Sequence, residues 1–230
     1  RKKTMKKWNE LPLDMQVEEV KKYYKILEKH KAGLVAKRIF DVVVAAILLV
    51  LLSPVLLILS VLIKLDSKGS VLFRQVRVTT YGKKFRICKF RTMVQNAEKI
   101  GTQVTTKGDM RVTRMGKLLR GCRLDELPQL FNILTGDMTF VGTRPEVEKY
   151  VAHYTNEMKA TLLLPAGVTS RASIEYKDEE KLLEDAKNAD EVYIHQVLPE
   201  KMKYNLKAIE KFSFFEDIKT MFATVAAVIK

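Results

Sequence analysis

At 230 residues the chain suits one domain plus an anchor, and 41 Lys and Arg against 27 Asp and Glu give a net charge of +14. Cys88 and Cys122 lack metal or redox spacing, and His30, His153 and His195 are scattered. This excludes a cysteine- or histidine-built metal centre and suits a reduced setting with inert thiols. The charge is uneven: residues 64–123 hold sixteen Lys and Arg against three acids, so nearly all of the excess sits in one block. Such a block suits anionic lipid headgroups, a phosphorylated substrate or nucleic acid.

Residues 1–10 are basic, and the opening on Arg1 rather than Met points to processing or a fragment. Asp14 to Lys31 is predicted as a helix, with Val17, Val20, Tyr24 and Leu27 on one stripe. That helix suits a membrane surface and the side of a folded body equally. The one long apolar run follows, 22 residues from Val42 to Ile63, long enough to cross a bilayer at roughly 20 residues per span. Ser53-Pro54 divides it into Val42–Leu52 and Val55–Ile63. At 1.5 Å per residue the first arm reaches about 16 Å, roughly half of the ~30 Å hydrocarbon core.

Basic residues flank the run on both sides, Lys37 and Arg38 before it, Lys64 and Lys68 after it. Because Lys and Arg concentrate on the cytoplasmic side, a simple crossing leaves one basic flank on the wrong face. A segment that enters, turns at the proline and returns keeps both flanks inside. A kinked single span is the alternative, since neighbouring Ser/Thr side chains re-satisfy the backbone that a proline frees. Asp41 sits at the mouth of the run, where it can lie at the interface or pair with Lys37 or Arg38.

Beyond the run, Val71–Val78 and Lys84–Phe90 are predicted as strands of a hairpin turning through Tyr81-Gly82. Residues 101–110 are predicted as a loop, Arg114–Arg120 and Glu126–Leu134 as short helices, and Gly136-Asp137 as a turn before Met138–Val141. Helical patterns recur near Glu146–Lys159, Asp178–Ala186, Ala189–Lys211 and Phe215–Ile229.

The densest site signal is Arg120-Gly121-Cys122-Arg123-Leu124-Asp125-Glu126-Leu127-Pro128-Gln129. Asp125 reads as the cap of the following helix, with Pro128 in the first turn, where its missing N–H costs little. In the positive field of a helix N-terminus an Asp stays ionised and a phosphate finds a place. Two carboxylates beside Arg120 and Arg123 can hold a divalent cation and offer a nucleophile, as phosphoryl transfer requires. The bland alternative is a capping acid followed by an exposed glutamate. Two neighbouring stretches favour chemistry: Lys89-Phe90-Arg91-Thr92-Met93 supplies two cations, and Gly136-Asp137-Met138-Thr139-Phe140-Val141-Gly142-Thr143-Arg144-Pro145 supplies a glycine turn, an acid and an arginine.

Taken in order, these residues resemble the bacterial sugar transferase family of small monotopic phosphoglycosyl transferases. The resemblance covers about residues 37–170 and continues weakly beyond. Its parts are Lys37-Arg38-Ile39-Phe40-Asp41, the Ser53-Pro54 break, Phe73-Arg74-Gln75, Lys89-Phe90-Arg91-Thr92-Met93, Leu124-Asp125-Glu126-Leu127-Pro128-Gln129 and Val141-Gly142-Thr143-Arg144-Pro145. Each is weak alone; all six in family order are specific. The resemblance implies an α+β, mostly helical protein in three parts. These are an N-terminal extension with an amphipathic helix (1–36), a re-entrant helix-break-helix (37–64) and a cytoplasmic catalytic body with a small β-hairpin (65–230).

It further implies transfer of a sugar 1-phosphate from a UDP-sugar to polyprenyl (undecaprenyl) phosphate with release of UMP, as the first membrane step of glycan assembly. Asp125 would be the nucleophile, carrying the phosphosugar covalently, and Glu126 its companion in metal binding or proton handling. Mg2+ at Asp125 and Glu126 would neutralise the pyrophosphate. Arg120 would lie near the polyprenyl phosphate, with Lys89, Arg91 and Arg144 holding substrate phosphates. The implied setting is the cytoplasmic face of a bacterial inner membrane, monotopic among its lipids, with a homodimer left open and no nucleic acid as partner.

Departures from the family pattern are local. Thr143 stands where proline is usual, Leu164-Pro165-Ala166-Gly167-Val168-Thr169 replaces an Arg-Pro-Gly-x-Thr pattern, and Arg171-Ala172-Ser173-Ile174-Glu175-Tyr176 occupies a region that usually reads Ala-Gln-Val-Asn-Gly. Family knowledge of sugar choice therefore does not carry over. The competing class is a membrane-tethered basic protein that grips lipid or nucleic acid without chemistry. No recognisable nucleic-acid module or aromatic stacking platform supports the latter partner.

Overall fold

The computed structural model describes residues 5–97, 109–176 and 188–229. The predicted helix Asp178–Ala186 and most of the predicted 101–110 loop lie outside the described residues. Helix α1 (Glu18–Lys29) follows a 3-10 turn at Leu13–Met15. Its predicted stripe is real: Val20, Tyr23, Tyr24 and Leu27 are buried against Leu163 and Ile209. Of the two settings that suit the N-terminal helix, the structure takes the folded body.

Helix α2 (Lys31–Asp66) is 36 residues long, and it is apolar and long enough by composition to cross a membrane. Helical hydrogen bonding does not stop at Ser53-Pro54. The proline has no N–H for the Val50 carbonyl one turn back, and the Ser53 hydroxyl donates to that carbonyl instead, at 2.8 Å. The sequence break is thus a proline bypassed inside one helix. Leu34, Lys37, Asp41, Ala45, Leu59 and Ile63 are buried along one line of α2, with Leu48, Leu52 and Leu56 packed between them. The opposite line, including Val43, Ile47, Val50, Ile58 and Leu65, is exposed. A three-four spacing of inward residues from Leu34 to Ile63 means that both arms pack on the body.

Strands β1 (Leu72–Val78) and β2 (Lys84–Phe90) pair antiparallel as predicted, with Phe73 opposite Lys89 and Arg77 opposite Phe85. The hairpin turns through two left-handed residues, Tyr81 at φ 57° and Gly82 at φ 75°. Helix α3 (Arg114–Gly121) starts at Thr113, whose hydroxyl accepts the Gly116 amide at 3.0 Å. Helix α4 (Gln129–Thr135) ends at Gly136 in the left-handed region, φ 86°. Asn132 of α4 completes the free edge of β2: its Oδ1 accepts the Cys88 amide at 2.8 Å and its Nδ2 donates to the Arg86 carbonyl at 3.0 Å. One core forms where Ala45 of α2, Phe85 and Ile87 of β2, and Leu130 and Ile133 of α4 meet.

Strand β3 (Met138–Val141) pairs parallel with β4 (Ala166–Thr169), a partner the sequence pattern does not announce because Ala and Gly are poor strand formers. The following chain makes only a short helix α5 (Glu148–Val151) where Glu146–Lys159 is predicted helical. The Thr155 hydroxyl there accepts the Met158 amide at 3.3 Å and starts a separate 3-10 turn, Met158–Leu163. Helices α6 (Arg171–Glu175), α7 (Ala189–Val192), α8 (Leu198–Glu210) and α9 (Phe214–Ile229) complete the described chain, a π-helical turn at Tyr193–Val197 joining α7 to α8.

Gly142 and Gly167 set the spacing of the loop that follows β3. A Cβ on Gly167 would stand 2.2 Å from the Gly142 backbone, and the Gly167 amide bonds the Thr143 carbonyl at 2.8 Å. Gly167→Ala is expected to cost about 1–3 kcal/mol of stability through backbone overpacking. Chemical denaturation of the detergent-solubilised chain checks this; an unchanged midpoint would contradict the close approach.

Candidate active site

Arg123 begins the site by adopting φ 56°, a left-handed conformation that costs an arginine roughly 1–2 kcal/mol. The reversal lifts the chain off the end of α3 into a 3-10 turn, Leu124–Glu126. This corrects the cap expected at Asp125: Pro128 is the residue preceding α4, and Asp125 lies in the turn three residues earlier. The turn keeps i→i+3 bonds, Glu126 N to Arg123 O and Leu127 N to Leu124 O, both 3.3 Å. Pro128 has no amide with which to extend a regular helix backwards.

Glu126 is the fixed member of the pair. Its Oε1 accepts Lys89 Nζ at 2.8 Å and Arg144 Nη2 at 2.6 Å, and its carboxyl is 10% exposed. Burial by itself pushes this carboxyl upward. The charges of Arg144 and Lys89 and their hydrogen bonds outweigh it, so Glu126 is held well below the usual range and stays ionised. Lys89 is drawn below its ordinary value by burial, against the pull of Glu126.

Asp125 is 8% exposed, and among the described residues no side chain hydrogen-bonds its carboxylate. Burial pushes its pKa up, opposed by Lys89 and assisted by the charge of Glu126. The dyad therefore splits, one acid locked by two cations and the other buried, without a hydrogen-bonding side chain and holding its proton more tightly than usual.

The remaining predicted residues divide. Arg120 donates Nε to Thr92 Oγ1 at 3.0 Å, and its charge reaches Asp125. Arg91 does not join the cluster. Its Nη2 donates to the Ile63 and Ser67 carbonyls at 3.2 and 2.6 Å, tying the end of α2 to the end of β2. Ser53 and Pro54 sit inside α2, away from the described charge cluster. Lys37, Arg38 and Asp41, read as a membrane flank, prove to be bolts. Lys37 Nζ reaches the Val141 carbonyl at 2.8 Å and Asp217, Arg38 bonds the Ile133 and Leu134 carbonyls, and Thr139 Oγ1 donates to Asp41 at 2.6 Å.

Sequence reasoning gave no role to Gln75 or Arg77. Gln75 Oε1 accepts Arg77 Nε and Nη2 at 3.1 and 2.7 Å, and Arg77 Nη1 donates to the Pro145 carbonyl at 3.2 Å. This fixes the peptide next to Arg144 and so aims its guanidinium. The i, i+2 spacing of Gln75 and Arg77 on one strand face was the available signal.

Among the described residues no three His, Cys, Asp or Glu side chains converge. Mg2+ commonly takes one or two carboxylates and completes its shell with substrate phosphates and water. The unpartnered Asp125 carboxylate fits that mode, whereas Glu126 already spends Oε1 on two cations.

The profile of the bacterial sugar transferase family matches residues 32–230. The chain is 38% identical over 196 residues to a UDP-N-acetylgalactosamine-undecaprenyl-phosphate N-acetylgalactosaminephosphotransferase of Aeromonas hydrophila, covering 84% of this chain and 43% of that one. It is 36% identical over 199 residues to a UDP-glucose:undecaprenyl-phosphate glucose-1-phosphate transferase of Klebsiella pneumoniae, covering 84% and 40%. A putative undecaprenyl-phosphate N-acetylgalactosaminyl 1-phosphate transferase of Bacillus subtilis is 41% identical over 135 residues, 59% of this chain and 75% of its own. The chain thus spans about two fifths of the length of the first two relatives.

The raised pKa of Asp125 fixes a sign. The folded state holds this proton more tightly than the unfolded chain, so ionisation costs stability once pH passes the unfolded value near 3.8. Asp125→Asn is expected to be more stable than the parent at pH 7.5, the gain shrinking as pH falls toward the carboxyl range. Paired denaturation curves at several pH values check this; a variant less stable at pH 7.5 would contradict the assigned burial cost. The match over residues 32–230 and the intact motifs around Asp125 make this chain a member of the bacterial sugar transferase family.

Proposed function

We propose that the chain transfers a sugar 1-phosphate from a UDP-sugar to polyprenyl phosphate, undecaprenyl phosphate in a bacterium, as the first membrane step of glycan assembly. The observation that carries this reading is the split dyad: a buried, unpartnered Asp125 next to a Glu126 that Lys89 and Arg144 hold ionised. The similarity to transferases that act on UDP-sugars and undecaprenyl phosphate supports the substrate class.

In the first step an Asp125 oxygen attacks the β-phosphorus of the donor. An O–P bond forms to Asp125, the bridging P–O bond breaks, and UMP leaves with the electron pair. In the second step a polyprenyl phosphate oxygen attacks the same phosphorus and Asp125 departs as carboxylate. Burial serves both steps, because a poorly solvated carboxylate is a better nucleophile and water is kept from the acyl phosphate. Lys89 and Arg144 place positive charge beside the dyad, where the donor's diphosphate must lie, and Glu126 keeps both cations in register. Arg120, close enough to influence Asp125, is assigned to the acceptor phosphate. Bound Mg2+ would neutralise charge on the diphosphate and the departing UMP.

The membrane reading has its own support. A helix crossing the bilayer upright would carry the catalytic body with it, because both arms of α2 pack on that body. We therefore read the segment as monotopic, its exposed apolar line in one leaflet and the body on the cytoplasmic face. The basic block of residues 64–123 adds roughly 1 kcal/mol per Lys or Arg near an anionic surface.

The full chain in membranes should release UMP from one member of a UDP-sugar panel, and turnover should require undecaprenyl phosphate and Mg2+. Asp125→Asn is expected to lose at least about 1,000-fold in turnover, and Arg144→Ala to lose rate through a misplaced Glu126. Full turnover by Asp125→Asn would overturn the nucleophile. A folded chain that releases no UMP from any UDP-sugar would favour the non-catalytic tether.

A further inference from the structure

Glu146, just beyond Arg144 and Pro145, is gripped from 47 residues downstream. Its Oε1 accepts the Tyr193 hydroxyl at 2.5 Å, and Lys201 Nζ of α8 donates to that same hydroxyl oxygen at 3.3 Å. All three side chains are buried. The Lys201 ammonium also lies 5.2 Å from the centre of the Tyr193 ring. The Tyr150 and Tyr193 rings meet at 4.7 Å, and the Tyr150 hydroxyl donates to Asp190 of α7 at 2.5 Å. Helices α7 and α8, with the π-helical turn that begins at Tyr193, thus close on the chain just after Arg144. Such π turns are rare and concentrate at functional sites.

The grip is passed on towards the dyad. Glu146 Oε2 lies 4.0 Å from Arg77 Nη1, and that nitrogen donates to the Pro145 carbonyl at 3.2 Å. The Glu146 carbonyl accepts the Val78 amide at 3.0 Å, docking the stretch on the end of β1. Pro145 has its φ fixed by the ring, so a shift of Glu146 reaches Arg144 with little slack. Burial draws the Arg77 guanidinium below its ordinary value, Glu146 opposes the fall, and the charge of Arg144 adds to it. The two guanidiniums therefore repel, and Glu146 is the carboxylate that offsets this on the Arg77 side.

We infer that Tyr193 and Lys201 are positioning residues for the donor half of the reaction, acting through Glu146 and Arg77 on the Arg144 guanidinium. Without the Tyr193 hydroxyl the Glu146 carboxylate is free to turn, Arg77 loses its counter-charge, and the Pro145 peptide that aims Arg144 loosens. The inference rests on the proposed reaction, in which Arg144 meets the donor's diphosphate and Arg120 the acceptor's phosphate.

Steady-state kinetics of the full chain in membranes test it. In a two-step transfer through an enzyme-bound phosphosugar, kcat/KM for the UDP-sugar reports the first step and kcat/KM for undecaprenyl phosphate the second. Tyr193→Phe, which removes only the hydroxyl, is expected to lower the donor's constant about tenfold and to leave the acceptor's within about twofold. A merely structural role reduces the amount of working enzyme and lowers both constants alike. In an Arg77→Lys background, where a point charge cannot hold Gln75 and the Pro145 carbonyl together, Tyr193→Phe is expected to cost less than about twofold. Circular dichroism verifies folding, and Lys201→Met takes the place of Tyr193→Phe if the latter does not fold. Equal falls in both constants, a fall confined to the acceptor's, no fall, or the full loss persisting in the Arg77→Lys background would each overturn the inference and leave the proposed reaction standing. A parent chain that releases no UMP overturns the proposed reaction and the inference with it.

Discussion

Three segments far apart in sequence meet at one carboxylate. Glu126 accepts Lys89 from the end of the hairpin and Arg144 from the loop after β3, while its own backbone belongs to the turn that carries Asp125. A buried carboxylate without these cations would be costly, and Lys89 without it would be a largely buried charge that has lost its carboxylate partner, a loss of several kcal/mol. The three elements therefore hold one another in place. Asp125 inherits its position from an interaction in which it takes no part. That division explains why two adjacent acids, which would point apart on a regular helix, serve one site from a strained 3-10 turn.

The second constraint is the depth of the site. Helix α2 is fixed to the body at one end by Lys37, Arg38 and Asp41, and at the other by Arg91, which grips its last carbonyls. Between them runs a partly buried apolar line, with a second apolar line exposed on the opposite side. On the proposed reaction this arrangement has a plain purpose. The acceptor's phosphate lies at the headgroup level and its tail in the leaflet, so a body fastened along the membrane segment holds Asp125 at the height of that phosphate.

Much of this was legible in the sequence. The hairpin, the apolar run, the α1 stripe and the cluster of Asp125, Glu126, Lys89 and Arg144 follow from alternation, periodicity and motif order. What was not legible depends on contacts between distant residues. Arg91 has the composition of a phosphate ligand, yet its position one residue past β2 sends it to the end of α2. Lys37 and Asp41 look like a membrane flank by neighbourhood, and only the position of β3 turns them inward. Strand β4 is invisible to propensity because its Ala166-Gly167 is chosen for backbone approach to Gly142. Proline at 54 signalled a break, but the hydroxyl at 53 takes over the carbonyl it abandons.

The central claim is that Asp125 carries the phosphosugar. The chain in detergent, given its UDP-sugar and Mg2+ without acceptor, should be trapped as an adduct heavier by one sugar phosphate. Intact-mass and peptide mass spectrometry are expected to place that mass on the peptide containing Asp125, and addition of undecaprenyl phosphate to discharge it. An adduct on another residue, or acceptor-dependent turnover with direct transfer and no adduct on the enzyme, would contradict the account.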